Sequence, residues 1–191
     1  MMFLPGDCSL NLQNTVLFLK PCFMFKQKII NLSSVLTIAL LLASCSRNAI
    51  YIVRHAEKAT ANANMSSDVP LSADGEQRAQ NLKKLLLDKN VQAIFSTPYI
   101  RTKSTAKPLS DATQVAVQLY SPKDTTDLFI ARVKAIQKRN VLIVGHSNTV
   151  DGLVNKLMGQ QLLTDLPETE YDNLFIVKRK GKKYSFEKRK Y

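Results

Sequence analysis

The chain has 191 residues, a formal net charge of +12, three cysteines and two histidines. That length suits one domain with a sizeable core, and the lack of internal repeats excludes solenoids and arrays. The positive balance leaves nucleic acid, acidic membrane surfaces and anionic substrates as partner classes, to be separated by where the charge lies.

Residues 1–44 differ in composition from the rest. Met24-Phe25-Lys26-Gln27-Lys28 is a short basic head, and the mostly apolar run that follows, residues 29–42, is too short to span a bilayer, which takes roughly 20 residues. It ends in Leu42-Ala43-Ser44-Cys45, which resembles the bacterial lipoprotein processing box. The resemblance implies that small residues fit a signal peptidase and that the Cys45 sulfur takes a lipid before cleavage. Residues 1–44 are therefore expected to be a signal peptide region, with the true start at Met24, and residues 45–191 the functional domain. The alternative is a buried apolar helix carrying an incidental cysteine. Cleavage would remove Cys8 and Cys22, leaving Cys45 alone with no disulfide and no cysteine metal site. One acyl chain holds a membrane only marginally, and bacterial lipoproteins generally carry three. Ser46 is not the aspartate that often retains lipoproteins at the inner membrane, so the expected location is the periplasm-facing cell envelope, at the outer membrane.

From residue 45 onward the elements alternate. Ile50-Tyr51-Ile52-Val53 is an apolar, β-branched run that reads as a buried strand, central in a parallel sheet, ending at Arg54-His55. A polar loop, 60–70, leads to Leu71-Ser72-Ala73-Asp74-Gly75-Glu76. There Ser72 can cap a helix whose positive end suits Asp74 and Glu76. Ala79, Leu82 and Leu86 would face the sheet. Residues 91–95 form the second strand. Thr97-Pro98 opens the second helix with proline in its first turn, and Ser96 and Thr97 read first as capping residues and otherwise as groups offering hydroxyls or N–H to a phosphate. A third strand is predicted over 114–119, a helix from Asp124 or Thr125 through Ile136, a fourth strand over 141–144 and a helix over 148–158. Residues 175–179 and 182–190 flank Lys180-Gly181 as a terminal β-hairpin. The expected fold is α/β, a three-layer α/β/α arrangement with a mainly parallel central sheet and a C-terminal hairpin.

Both histidines follow apolar strands, where the carboxyl ends of an α/β sheet form the ligand crevice. A lone histidine there is most often a loop or packing residue. Two in matching places, one beside Arg54 and one after Gly145, call for a shared explanation. Arg54-His55-Ala56, Leu71…Gly75, Ser96-Thr97-Pro98…Arg101…Thr105-Ala106 and Gly145-His146 occur in an order that resembles the histidine phosphatase superfamily, the phosphoglycerate-mutase-like group. The chain departs from the pattern at Thr102, where the family has alanine. The resemblance spans nearly all of residues 49–177 and implies a phosphohistidine intermediate.

The chemistry of phosphoryl transfer fits these residues. A phosphate ester repels nucleophiles, so catalysis rests on positioning and on neutralising its oxygens. Arg54 and Arg101 are the candidate phosphate clamps, each able to offer two parallel hydrogen bonds. His55 would attack through one ring nitrogen while the backbone holds the other. Neighbouring guanidinium groups would keep it neutral. His146 would bind a phosphoryl oxygen and stabilise the transition state. No metal or other cofactor is called for.

The general acid is less plain. Larger members of the resembled family carry a glutamate in an insert after the second helix, but this chain has no glutamate between Arg101 and His146. Asp124, which also reads as an N-cap, and Glu57, two residues beyond the nucleophile, are the candidate acids. The missing glutamate argues against mutase activity and is similar to the short bacterial phosphohistidine phosphatases.

Residues 178–190 hold eight basic residues against Glu187. They read first as a solvated edge strand that resists edge-to-edge pairing, and otherwise as a patch for acidic lipid head groups or a polyanionic substrate. Nucleic acid is set aside as a partner for an envelope lipoprotein. The sequence thus points to a metal-independent phosphatase acting on phosphate monoesters or phosphohistidine in the cell envelope. The alternatives are a phosphatase of a phosphorylated envelope lipid or glycan, and a phosphate-binding lipoprotein with little turnover.

Overall fold

The fold is built outward from β1 (Arg47–Arg54), whose residues from Ile50 to Arg54 are all buried. The computed structural model describes residues 47–60, 68–123 and 127–191. The expected signal segment with Cys45, and the candidate acid Asp124, lie outside them. Side chains alternate along β1, so Ile50 and Ile52 join one apolar layer while Tyr51 and Val53 join the other. A strand apolar on both faces belongs in the middle of a covered sheet.

Six strands form one sheet among the described residues, in the order β3-β2-β4-β1-β5-β6. The remaining strands are β2 (Val91–Ser96), β3 (Val117–Leu119), β4 (Asn140–Gly145), β5 (Asn173–Lys180) and β6 (Lys183–Lys190). Strands β3, β2, β4 and β1 run parallel, whereas β5 is antiparallel to β1 and to β6. The sheet is therefore mainly parallel with a C-terminal hairpin, as expected. Its central strand, however, has a parallel neighbour on one side only.

Helices α1 (Ala73–Leu86) and α2 (Ile100–Thr113) lie on one face, burying Leu82, Leu86, Ala106 and Leu109 against Ile94, Leu142 and Val144. Helices α3 (Asp127–Ala135) and α4 (Ser147–Met158) cover the other, with Phe129, Val133, Val150 and Leu153 against Phe95 and Ile143. Residues 47–191 thus contain a covered sheet with a core on each face, a compact unit with its own core. No helix among the described residues is long and apolar enough to cross a membrane.

Two boundaries differ from expectation. Pro98 is not in the first turn of a helix, because α2 starts at Ile100. The reason lies outside the helix: Asp68, from the preceding loop, accepts the Ile100 N–H at 2.8 Å and does the work of a cap. Strand β3 is short, because α2 continues to Thr113 and Gln114 takes the left-handed conformation that ends it.

Helix α1 is held against the loop that follows β1. Ser72 Oγ accepts the Gly75 N–H at 3.1 Å, and the Ser72 N–H donates to the Glu57 carbonyl at 2.9 Å. Gly75 has to be glycine for contact reasons, since a Cβ there would lie 2.1 Å from the Glu57 carbonyl oxygen. Gly75→Ala is expected to destabilise the fold by about 1–3 kcal/mol through overpacking, read as a lower urea midpoint. Gln77→Ala, on the exposed side of the same helix, should leave the midpoint within about 0.5 kcal/mol of wild type.

Candidate active site

The carboxyl ends of β2, β4 and β1 lie side by side in the sheet. Arg54 stands opposite Gly145, and Ser96 opposite Val144. The residues one step beyond therefore emerge together. The His55 N–H donates to the Gly145 carbonyl at 2.9 Å, and the rings of His55 and His146 meet edge to face at 5.4 Å. They line an open cavity of about 420 Å³ with Arg54, Lys58, Tyr99 and Arg101, bordered also by Lys123, the first turn of α4 and Glu168.

The His55 ring is oriented by the backbone, as expected. Its Nδ1 lies 2.7 Å from the Ala56 carbonyl. A carbonyl can only accept, so Nδ1 carries the proton and Nε2 keeps its lone pair. The Ala56 N–H in turn donates to Thr105 Oγ at 2.9 Å, and that hydroxyl donates to the Arg101 carbonyl at 2.8 Å. Helix α2 thus secures the turn carrying His55. Burial, then the charges of Arg54 and Arg101, outweigh the Ala56 hydrogen bond and lower the imidazole pKa to about 3.

His146 is the residue before α4, and its N–H donates to Thr149 Oγ at 3.0 Å. Its Nε2 shares a 2.9 Å hydrogen bond with Thr97 Oγ. Burial first, then Arg101 and Arg54, lower its pKa to about 4. This pairing corrects the reading of Ser96 and Thr97 as caps. Thr97 is bonded to His146 and Thr102, Ser96 Oγ donates to the Thr97 carbonyl, and neither caps α2. Thr102, where the chain departs from the family pattern, thus buttresses the hydroxyl that holds the second histidine.

The two arginines are held differently. Arg101, in the first turn of α2, lies 3.6 Å from Asp68 and stacks over the Tyr99 ring at 4.5 Å. Arg54 is almost wholly buried. Its Nη1 donates to the carbonyls of Pro167, Glu168 and Glu170 at 2.9–3.2 Å, and its Nη2 to Glu168 Oε2 at 2.7 Å. The Tyr171 ring packs 4.1 Å from the guanidinium carbon. The expected fork offered by Arg54 is therefore not fully open. Nη1 serves the segment between α4 and β5, while Nε is buried without a partner among the described residues.

Glu57 is not placed to be the acid. Both its carboxylate oxygens accept from Arg78 Nε at 2.8 Å, and it is not among the residues lining the cavity. Burial raises its pKa, but the Arg78 hydrogen bonds and charge outweigh that and hold it below the usual range. Asp124 is outside the described residues, although Pro122 and Lys123 just before it line the cavity.

Glu168 escaped the sequence reading. It bonds Ser147 Oγ at 2.5 Å as well as Arg54, and the Ser147 bond and the Arg54 charge lower its pKa despite some desolvation. Its position after α4, outside the interval from Arg101 to His146, gave no local signal. Lys58 and Tyr99 were likewise unassigned. Among the described residues no group of three or more His, Cys, Asp or Glu is placed to hold a metal ion.

Comparison with known proteins agrees with this geometry. The family model for the histidine phosphatase superfamily (branch 1) matches residues 50–121. No curated protein sequence matches the chain. Among solved structures, the protein histidine phosphatase SixA complexed with tungstate aligns with a TM-score of 0.61 at 19% identity, covering 74% of this chain and 96% of that one. YhfR of Bacillus stearothermophilus aligns at 0.59 with 15% identity, covering 72% and 94%. A mycobacterial glucosyl-3-phosphoglycerate phosphatase aligns at 0.55 with 14% identity, covering 75% and 97%. At these identities the structures speak for the fold, and the family model speaks for the residues from β1 through β3. Over residues 50–121 the chain is similar to the histidine phosphatase superfamily, and its fold is that of the solved structures named above.

Proposed function

We propose that this chain hydrolyses phosphate monoesters or phosphohistidine through a phosphohistidine formed on His55, without a metal ion, in the bacterial cell envelope. The observation that carries the reading is the His55 Nδ1 contact with the Ala56 carbonyl, which leaves Nε2 as a neutral nucleophile in a cavity lined by cations.

In the first step Nε2 attacks phosphorus, and the bond from phosphorus to the leaving group breaks. Arg101, Arg54 Nη2 once Glu168 gives it up, His146 and Lys123 are the groups that would neutralise the phosphoryl oxygens. The leaving oxygen takes a proton from water or from an acid, for which Asp124 remains the sequence candidate. A phosphohistidine substrate releases an imidazole and needs less help. Water then attacks phosphorus, the P–N bond breaks, and orthophosphate leaves with His55 restored. Glu168, held ionised by Ser147 and Arg54, is unsuited to donate that proton at neutral pH. The lack of a glutamate between Arg101 and His146 favours hydrolysis over mutase transfer. The envelope location rests on the Cys45 box and implies a membrane-tethered enzyme whose partners are phosphorylated small molecules or phosphorylated envelope components.

His55→Ala is expected to abolish turnover of an aryl phosphate in the presence of chelator. Calorimetry should show phosphate binding changed by no more than roughly tenfold, about 1.4 kcal/mol. Near-normal turnover in that variant would sink the mechanism.

Glu168 and a bound phosphate compete for the same Arg54 nitrogen. Glu168→Gln should therefore lower KM and the inhibition constant of inorganic phosphate several-fold, with kcat moved little. A large loss of kcat with unchanged KM would instead make Glu168 the acid.

His55 and His146 are the only histidines, so their proton resonances are easily followed. Neither ring should titrate between pH 5 and 8, because burial and the arginines lower both pKa values, to about 3 and about 4. In the unfolded chain both would titrate near 6.5. Unfolding therefore takes up protons below that value, and stability should fall as pH drops from 6.5 towards 3. A histidine titrating near 6.5 in the folded protein would contradict the burial argument.

A further inference from the structure

Strand β1 carries the catalytic histidine at one end and a concentration of positive charge at the other. Arg47 stands directly opposite Lys180, and Lys180 directly opposite Lys183. Alternation along the strands places the three side chains in a row on one face. Like charges directly opposite one another destabilise a sheet, and none of the three has a carboxylate within salt-bridge distance among the described residues. All three are exposed. They border an open depression of about 770 Å³, lined also by Lys178 and Arg179, with no acidic residue in its wall. Lys178 is neutralised by Glu187, and Arg179 is tied to the Gly181 and Lys134 carbonyls. The row Arg47-Lys180-Lys183 is thus the unneutralised part. It begins two residues after Cys45.

From this juxtaposition we propose that the Arg47-Lys180-Lys183 face docks on a membrane surface rich in anionic phospholipid head groups. The catalytic cavity is then held away from that surface, open to water-soluble substrates. Three free cations on one face beside an acid-free depression match a layer of phosphate-bearing head groups. A chain tethered just before Arg47 would bring that face to the bilayer first. The separation follows when the domain docks by the amino end of β1 with the strand upright, because the eight residue steps from Arg47 to His55 span about 26 Å. A lipid phosphate in the same leaflet cannot reach His55 across that distance. The substrate class rests on the phosphatase reading of the cavity; the docking face does not.

The test uses the chain from Ser46 onward, without lipid, sedimented with vesicles of phosphatidylcholine alone or with about one-third phosphatidylglycerol. Binding is expected on the anionic vesicles only, and salt near 0.5 M should release it. Arg47→Gln/Lys180→Gln/Lys183→Gln should weaken binding roughly a hundredfold, from about fivefold per cation. Lys103→Gln/Lys107→Gln/Lys156→Gln, which removes as many exposed charges elsewhere, should bind as wild type. Lys180→Glu alone places a carboxylate between two cations. It should raise Tm while weakening vesicle binding, a pairing of effects that misfolding would not produce. Bound enzyme should still turn over a soluble aryl phosphate and release no phosphate from phosphatidic acid in the vesicle it sits on. Equal wild-type binding to both vesicle types, undiminished binding by the triple Gln variant, or equal loss in the control variant would overturn the docking face. Phosphate release from vesicle phosphatidic acid would overturn the orientation. An enzyme that binds anionic vesicles but turns over no aryl phosphate would refute the phosphatase reading and support the docking face.

Discussion

The parallel pairing of β1 with β4 is the constraint from which the site follows. With Arg54 opposite Gly145, the two strands end in step and deliver His55 and His146 into contact. A slip of one residue would turn each side chain to the opposite face of the sheet and exchange the two apolar layers, so that neither would fit the side chains packed against it. The register is therefore set by the whole of the buried run, residues 50–53 against residues 141–144, and the catalytic geometry is a by-product of core packing. Gly145 completes the arrangement. A Cβ there would come within 2.9 Å of the Tyr120 hydroxyl, which donates to the Val144 carbonyl, and 3.1 Å of Thr149 Oγ, which accepts the His146 N–H.

Around that pair the site solves two electrostatic problems. Burying Arg54 would be costly if it were left bare. Three carbonyls, the Glu168 carboxylate and the Tyr171 ring offset the loss of water. The cost of burying the histidines is avoided by keeping them neutral. Burial and the arginines act in the same direction on both rings, so the charges proposed to bind phosphate also keep the proposed nucleophile unprotonated. Thr97 and Thr105 add orientation: one holds His146 and the other fastens the turn after His55.

The strand that leads to His55 also separates the two ends of the domain. At its carboxyl end the cations are buried or stacked and converge on one cavity. At its amino end they are spread in a row without acidic partners among the described residues. The same residue types thus sit in two settings: buried around one cavity at one end, and exposed as a diffuse field at the other.

The alternation of strands and helices, the capped start of α1 at Ser72 and the terminal hairpin were legible because each rests on local signals: apolar period, a capping side chain, a glycine turn. The order of short motifs along the chain also marks Arg54, His55, Arg101 and His146 as candidates, and these four do converge on one cavity. Contacts between distant segments were not legible. Asp68 sets the start of α2 from outside the helix, so Pro98 misled as a helix-start signal. Glu57 is drawn to Arg78, 21 residues away, and Glu168 reaches Arg54 across 114 residues of chain. Sequence by itself determined which residues are apolar, which turn and which can do phosphoryl chemistry, because those are properties of neighbours along the chain. Only the tertiary structure decided which carboxylate meets which arginine, because a buried charge is bound by whatever partner the packed core brings within hydrogen-bond reach.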